Sequence, residues 1–275
     1  MTKKYITLFI SISFLMFGCA SKQIIEVDTP AEKIETPEVT VAVEQILNMV
    51  LIESGVFQNS SPVNIASFYL GAYLVTQSEY EEVMGTNPSF FKGEKLPVEN
   101  LTWIEAVEFC NRLSIREGLT PVYIIEENTV TWNRNANGYR LPTDIEWEYA
   151  CRAGTTTPFN TGNSITTNQA NFDGRFPYNS NIRMEYRQRT TPVGLFAANS
   201  WGLYDMHGNV WEWCWDGPNG SQSDNSTMQL HNSTRVIRGG AWSSSGRSLH
   251  SSFRSGFQPN WKNNYVGFRV AKNAK

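Results

Sequence analysis

Three segments of the chain combine a helix start signal with an apolar and polar pattern of helical character. Each opens with Thr followed three residues later by Glu, the capping-box spacing in which the Thr hydroxyl accepts a backbone N–H and the Glu reaches back. The boxes begin at Thr76, Thr102 and Thr143. Glycines that suit helix ends follow at 85, 118 and 154. The pattern therefore predicts three short helices.

Two of these helices have a clear apolar set. The segment 103–116 should bury Ile104, Val107, Phe109 and Leu113, and 144–153 should bury Ile145, Trp147 and Tyr149. After Thr155 no helical pattern recurs, and Asn, Gly, Ser and Trp dominate a chain interrupted by frequent turn residues. We expect one compact α+β domain over 48–272, with few helices, short strands and much irregular structure.

The N-terminus has the pattern of a secretion signal. Lys3 and Lys4 precede an apolar run over 6–17, which is shorter than the roughly 20 residues of a membrane-spanning helix. The run ends in Gly18-Cys19, which resembles a bacterial lipoprotein cleavage box with Cys19 as the lipidated residue. We expect a lipoprotein signal over 1–19, with plain secretion and a retained anchor as alternatives.

The residues after the signal are typical of a tether. From 20 to 47 the chain is rich in Glu, Pro, Thr and Val and lacks aromatic residues, a composition that favours an extended segment. The sequence thus predicts a protein of the bacterial cell envelope, attached to the membrane through its lipid and displayed at the outer-membrane surface.

Composition and charge narrow the choice of partners. The chain has 275 residues, 40% of them hydrophobic and 13% aromatic, which suffices for a substantial core. Its formal net charge of −3 gives no general attraction to phosphate backbones, so we expect no nucleic-acid partner.

Besides Cys19, the three cysteines at 110, 151 and 214 stand beside apolar or aromatic residues. Their odd number and spacing predict buried thiols in place of a disulfide framework.

Six ordered blocks carry a resemblance to a known family. They are the segments 68–80, 97–103, 139–149, 201–213, 238–242 and 266–270, which include Trp-Gly-Leu-Tyr-Asp-Met-His-Gly-Asn-Val-Trp-Glu-Trp and Arg-Gly-Gly-Ala-Trp. Together they resemble the formylglycine-generating-enzyme (sulfatase-modifying factor) family over about residues 49–271. The resemblance implies a C-type-lectin-like fold of the formylglycine-generating-enzyme type.

The resemblance does not extend to the family's catalytic cysteines. The enzymes use a cysteine pair after the Gly-Gly-x-Trp block, because copper and oxygen chemistry needs soft thiolate ligands. This chain has Ser244 and Leu249 at those positions, and no cysteine follows Cys214. We therefore expect a protein that is not an enzyme.

The same blocks also resemble the variable proteins of diversity-generating retroelements. In that class the targeted segment ends in a block like Val-Gly-Phe-Arg-Val, and template adenines are replaced at random while a scaffold persists. The resemblance implies a variable region over 236–270 in this chain.

The segment Ser243–Tyr265 departs from the rest of the chain on physical grounds as well. Seven serines alternate with Phe253, Phe257, Trp261 and Tyr265, and the segment contains no Asp or Glu. Adaptable Ser and rigid aromatic side chains form the composition of antibody loops. Arg247, Arg254 and Lys262 make it locally basic, which weakly favours an acidic or carboxylate-bearing ligand. The alternative is a flexible Ser-rich loop without a ligand.

We separate the frame of this segment from its contact surface. Family-pattern residues are expected to be structural: Gly239, Gly240, Trp242, Arg254, Pro259, Gly267, Phe268 and Arg269. The predicted ligand contacts are Ser243, Ser244, Ser245, Arg247, Ser248, Leu249, His250, Phe253, Ser255, Phe257, Trp261, Asn263 and Tyr265. Some of them should be buried, Phe253 first of all. Strands at both ends would hold the segment on a rigid scaffold.

The sequence also bears on metal and hydrolase sites. Asp205, Gly208, Val210 and Glu212 match positions that hold calcium in family enzymes, so a structural Ca²⁺ is one interpretation and a metal-free turn the other. The three histidines have no zinc-ligand spacing, and no nucleophile elbow surrounds the serines near His250.

These patterns lead to one functional hypothesis and two rivals. The sequence predicts a non-catalytic, surface-displayed protein whose variable C-terminal face binds a protein or glycan ligand, for example one on another cell. The rivals are a formylglycine-generating oxidase and a structural envelope lipoprotein without a dedicated ligand.

Overall fold

The computed structural model describes residues 47–58, 62–218, 226–231 and 233–274, all within one compact unit. The predicted signal at 1–19, its Cys19 and all but the last residue of the predicted tether lie outside the described residues. Leu47, which the sequence assigned to the tether, is buried in the main core, so the domain begins before residue 48. No helix of the described residues is long and apolar enough to cross a membrane.

The three predicted helices are confirmed. They are α1 (Gln77–Met84), α2 (Trp103–Arg116) and α3 (Asp144–Arg152). All three capping boxes form, because each Thr hydroxyl accepts the backbone N–H of its Glu and each Glu carboxylate accepts the Thr N–H. Gly85 ends α1 in the left-handed conformation, whereas at α3 this position is taken by Ala153, one residue before the expected Gly154.

Short strands form the rest of the regular structure. In the described residues they are β1 (Met49–Ile52), β2 (Gly55–Phe57), β3 (Val63–Ile65), β4 (Phe68–Gly71), β5 (Tyr123–Ile125), β6 (Thr129–Trp132), β7 (Tyr139–Arg140), β8 (Trp211–Trp213), β9 (Thr227–Gln229), β10 (Arg235–Arg238), β11 (Arg254–Phe257), β12 (Val266–Gly267) and β13 (Ala271–Asn273). One 3-10 helix spans Gly246–Leu249. The α+β expectation with much irregular structure is confirmed.

Two four-stranded sheets organise these strands. The first has the order β1-β4-β13-β7 and is antiparallel throughout. The second has the order β11-β10-β8-β12, in which only the β8–β12 pair is parallel. Smaller sheets join β2 to β3 and β5-β6-β9. The C-terminal stretch therefore contributes to both large sheets, through β10 to β12 in one and β13 in the other.

The main core lies between α2 and the second sheet. Val107, Phe109 and Leu113 of α2 are fully buried as predicted, while Ile104 only packs against the edge of this cluster. A second cluster surrounds the buried Trp147 of α3. Ile145 and Tyr149 of the same helix were also expected to be buried, but they are only half-buried. Burying large aromatic side chains supplies most of the stabilisation of such a domain, at roughly 25 cal/mol per Å² of apolar surface.

Candidate ligand-binding face

The second sheet frames the segment Ser243–Tyr265 at both ends, as the sequence predicted. Strand β10 precedes it and β12 follows it. Inside the segment the chain also forms β11, which pairs antiparallel with β10 from Arg235↔Phe257 to Arg238↔Arg254. The segment is therefore not a free loop, because its middle is hydrogen-bonded to its own frame.

A buried arginine holds the start of this frame in place. Arg238 on β10 pairs with Asp144 and, over 2.9 Å, with Glu148 of α3. Its Nη1 also donates to the carbonyl oxygens of Ser251 at 3.0 Å and Phe253 at 3.1 Å. One guanidinium thus joins the second sheet, α3 and the segment backbone.

Backbone contacts hold the first half of the segment against the irregular chain before it. Asp173 donates its N–H to the Ser244 carbonyl at 2.9 Å, and Gly246 donates to the Phe176 carbonyl at 2.9 Å. Ser251 donates to the Pro158 carbonyl at 2.8 Å. These bonds place residues 173–178 directly beside the segment.

The prediction that Leu249 contacts a ligand is wrong. Its side chain is fully buried and packs in a small cluster with Phe159, Ile165, Ala170 and Phe172. The apolar side chain gains more from this interior position than from solvent, and the 3-10 helix turns it inward. Leu249 belongs to the frame.

The other predicted contacts retain access to solvent. Phe253, expected to be the most buried, is only half-buried. The exposed set is Ser243, Arg247 and Ser255, and the half-buried set is Ser244, Ser245, Ser248, His250, Phe253, Phe257, Trp261, Asn263 and Tyr265.

Six of these residues form two groups. Phe257 and Trp261 stack with ring centroids 4.0 Å apart, and Tyr265 follows at 5.6 Å from Trp261, so these aromatics form one cluster at the edge of the main core. Arg247, His250 and Phe253 instead line a pocket. The segment therefore presents a packed aromatic region and a separate concave one.

The pocket encloses about 680 Å³, a volume typical of ligand sites in proteins. Its remaining lining residues, which the sequence did not predict as contacts, are Pro177, Tyr178, Asn179, Ser252 and Arg254. The stretch 177–179 carries no motif and lies about 70 residues earlier in the chain, so no sequence signal indicates it. Arg254, expected to be structural, does pair with Asp144 at 3.0 Å, yet it remains part of the pocket wall.

The pocket presents hydrogen-bond donors and positive charge. Arg247 is exposed and has no ion pair within the described residues. Burial, followed by the charge of Arg152, lowers the pKa of His250 below its ordinary value, so the ring is neutral near pH 7. Its Nδ1 lies 2.8 Å from the Ser252 hydroxyl and accepts the Ser252 N–H at 3.4 Å, which leaves Nε2–H as a donor. This wall suits an acceptor-rich or anionic ligand group.

The matched calcium positions do not fit a calcium ion. Both carboxylate oxygens of Glu212 already accept hydrogen bonds, from Arg269 at 2.6 and 2.9 Å and from the Trp147 indole at 2.9 Å. Asp205 accepts the Gly194 N–H at 2.7 Å, and burial raises its pKa to about 6. A cation beside Glu212 would have to displace the Arg269 guanidinium, so we assign Asp205, Gly208, Val210 and Glu212 to a turn of the frame. Within the described chain no three His, Cys, Asp or Glu side chains are grouped as metal ligands.

The thiols are buried, as predicted. Cys110, Cys151 and Cys214 are free and inaccessible. Burial raises the pKa of Cys151 to about 12, although the His207 ring lies within 3.8 Å. The His207 ring donates from Nδ1 to the Leu249 carbonyl at 2.7 Å and accepts the Asn160 N–H at Nε2. It therefore serves as a structural link behind the pocket and does not activate a thiolate.

Comparisons with known proteins agree with this architecture. Residues 35–274 match the model of the sulfatase-modifying factor enzyme 1-like domain. The chain is 37% identical over 256 residues to the chaperone protein LppX of Paenibacillus barcinonensis, which covers 82% of this chain and 89% of that protein. It is 44% identical over 102 residues to the formylglycine-generating enzyme of Mycobacterium tuberculosis, a match of 36% of this chain and 33% of the enzyme. Among solved structures, Treponema denticola variable protein 1 superposes with a TM-score of 0.67 at 26% identity, covering 82% of this chain and 95% of that one.

Proposed function

This chain belongs to the sulfatase-modifying factor enzyme 1-like family, and from that premise we propose that it is a non-catalytic, surface-displayed ligand-binding protein. The family contains enzymes and non-catalytic members, so membership alone does not decide between them. The choice depends on the residues that this chain places at the site.

The pocket beside the segment is the observation that carries the proposal. Arg247, His250 and Phe253 come from the segment, and Tyr178 faces them from a stretch that backbone hydrogen bonds hold in place. A preformed concave site on a rigid frame costs little conformational entropy when a ligand binds. The serines around it offer adaptable hydrogen bonds, as antibody loops do.

The positions of the family's cysteine pair argue against oxidase chemistry. The Ser244 hydroxyl accepts the Ala241 N–H at 3.0 Å, and the Leu249 side chain is enclosed in the interior. Neither side chain supplies a soft thiolate ligand. The sequence contains no cysteine after Cys214 to replace them.

The location and variability of the protein form part of the same proposal. We take Cys19 as the lipid attachment site, the segment 236–270 as the variable region of a diversity-generating-retroelement protein, and the outer-membrane surface as the place of display. The superposition on a treponemal variable protein and the family blocks around the segment support this proposal. The partner would be a protein or glycan, for example on another cell, with no nucleic acid involved.

The test is capture of whole cells by the immobilised full chain. Replacing Arg247 or Trp261 by Ala should reduce capture, because both side chains reach the surface of the segment. Arg112, exposed on α2, gives a matched control when changed to Ala. Unchanged capture by both segment variants would favour a structural envelope protein. Conversion of a Cys-bearing sulfatase peptide to the aldehyde would favour the oxidase.

A further inference from the structure

We infer that the ligand is an acidic saccharide chain, which binds along a row of aromatic rings that joins two basic pockets. The inference rests on the proposed function and names its ligand class. We call the pocket around Arg247 the segment pocket, and the pocket around Arg189 the second pocket.

The second pocket lies between the chain at 92–96 and the stretch 185–192, and it encloses about 520 Å³. Four cationic side chains line it, against two carboxylates: Lys92, Lys95, Arg187 and Arg189 against Glu94 and Glu185. The local charge is positive although the whole chain carries a formal net charge of −3. The pocket therefore favours an anionic occupant.

One wall of the second pocket also contains buried polar atoms without a partner. Within the described residues these are Nη1 of Arg187 and the hydroxyls of Thr190 and Thr191. Folded proteins rarely leave such groups unpaired, so this wall has unused hydrogen-bonding capacity beside the cationic side chains.

A row of aromatic rings starts at this pocket. The Arg189 guanidinium lies 5.8 Å from the centroid of the Phe91 ring. The Phe91 ring meets the Trp242 ring edge-on at 5.6 Å, and Trp242 stacks with Tyr186 at 6.2 Å. Arg175 then lies 4.2 Å from the Tyr186 centroid.

The row ends at the segment pocket. Arg175 also lies 5.8 Å from the Phe176 ring, and the next residue, Pro177, lines the segment pocket. Phe176 at this end and Phe90 at the other are strongly exposed, at 57% and 67%. Both exposed rings therefore lie at the ends of the row, next to the two pockets.

The alternation of rings and cations fits an acidic saccharide. The C–H face of a pyranose is apolar and packs on an aromatic ring, while carboxylate or sulfate groups at its edge accept hydrogen bonds from Arg and Lys. Each pocket has the volume of a small ligand, whereas a folded protein partner generally buries a flatter and larger surface.

Arg189 and Arg247 are the expected anchors, one in each pocket. Arg175 is neutralised by Asp173 at 2.7 Å and Arg187 by Glu185 at 2.7 Å. Within the described residues, Arg189 and Arg247 have no ion pair. Their charges are therefore available to a ligand.

The experiment measures direct binding of the full chain to four polymers. Hyaluronan carries carboxylates only, dextran sulfate carries sulfates only, dextran is neutral, and poly-L-glutamate is an acidic polypeptide. We expect binding to at least one of the acidic saccharides and none to dextran. Arg189→Gln and Arg247→Gln should each weaken that binding about tenfold, the loss of one charge-assisted contact. Arg112→Gln should leave it unchanged, and thermal unfolding checks that each variant is folded.

The outcomes separate the ligand class from the proposed function. Binding to neither acidic saccharide overturns the inference, and so does equal or stronger binding to poly-L-glutamate, which would point to an acidic protein. The same saccharides are also added to the whole-cell capture assay. If cell capture requires Arg247 but neither acidic saccharide inhibits it, the proposed function stands and the saccharide is not the ligand.

Discussion

Arg269 and Glu212 form an ion pair 2.6 Å long in which both side chains have no exposed surface. Arg269 also donates to the carbonyls of Gly71 at 3.0 Å and Tyr204 at 2.9 Å. The pair joins the chain just after β12 to β4 and β8, so it fixes the frame on which the candidate ligand-binding face depends. Removing one partner of such a pair leaves a buried charge without compensation.

We predict that Glu212→Gln destabilises the domain by about 3–5 kcal/mol, measured by chemical denaturation. The exposed pair of Arg116 and Glu82 provides the control, because breaking it by Arg116→Gln should cost no more than about 1 kcal/mol. Equal, small effects of both substitutions would show that the buried pair does not hold the frame.

The same pair determines the response to calcium. Because Arg269 saturates the Glu212 carboxylate, adding about 1 mM Ca²⁺ should leave the unfolding midpoint unchanged, and so should chelation with EDTA. A site half-saturated well below that concentration would instead raise the midpoint by several degrees. Such a rise would mean that Ca²⁺ displaces the Arg269 guanidinium from Glu212.

The sequence predicted those structural features that are determined by residues close together in the chain. The capping boxes at Thr76, Thr102 and Thr143 are complete within four residues, and all three helices begin where they indicate. The burial of Leu249 is set by Phe159 and Phe172, which lie far away in a stretch without periodic pattern. Local composition could therefore not distinguish it from its exposed neighbours.

The candidate site also combines features that the sequence indicated with features that it did not. The segment and its flanking strands follow from family blocks and composition, whereas the far wall of the pocket at 177–179 is brought in by tertiary hydrogen bonds alone. For Glu212, a match of residue types suggested a metal ligand, but the choice between a cation and a guanidinium depends on where Arg269 lies in space.

His207 should make the domain sensitive to acid. Burial lowers its pKa from 6.5 to about 4, so the unfolded chain binds a proton there between these values and the folded protein does not. Stability from this group is therefore complete above pH 6.5 and is lost as the pH falls towards 4, by roughly 3 kcal/mol in total. We expect His207→Gln to be less stable at pH 7 and to show a shallower decline between pH 6.5 and 4. Parallel pH profiles of the two proteins would exclude this role.

Leu249 and Arg247 lie two residues apart in the segment and should respond oppositely to truncation. Leu249→Ala removes a fully buried side chain and should cost about 2–5 kcal/mol of folding free energy. Arg247→Ala removes an exposed side chain without an ion pair in the described structure, so stability should change by no more than about 0.5 kcal/mol while ligand capture falls. Denaturation curves and the capture assay on both variants measure the two effects. A segment that tolerates Leu249→Ala as readily as Arg247→Ala would be a loose loop, and the division between frame and contact surface would then fail.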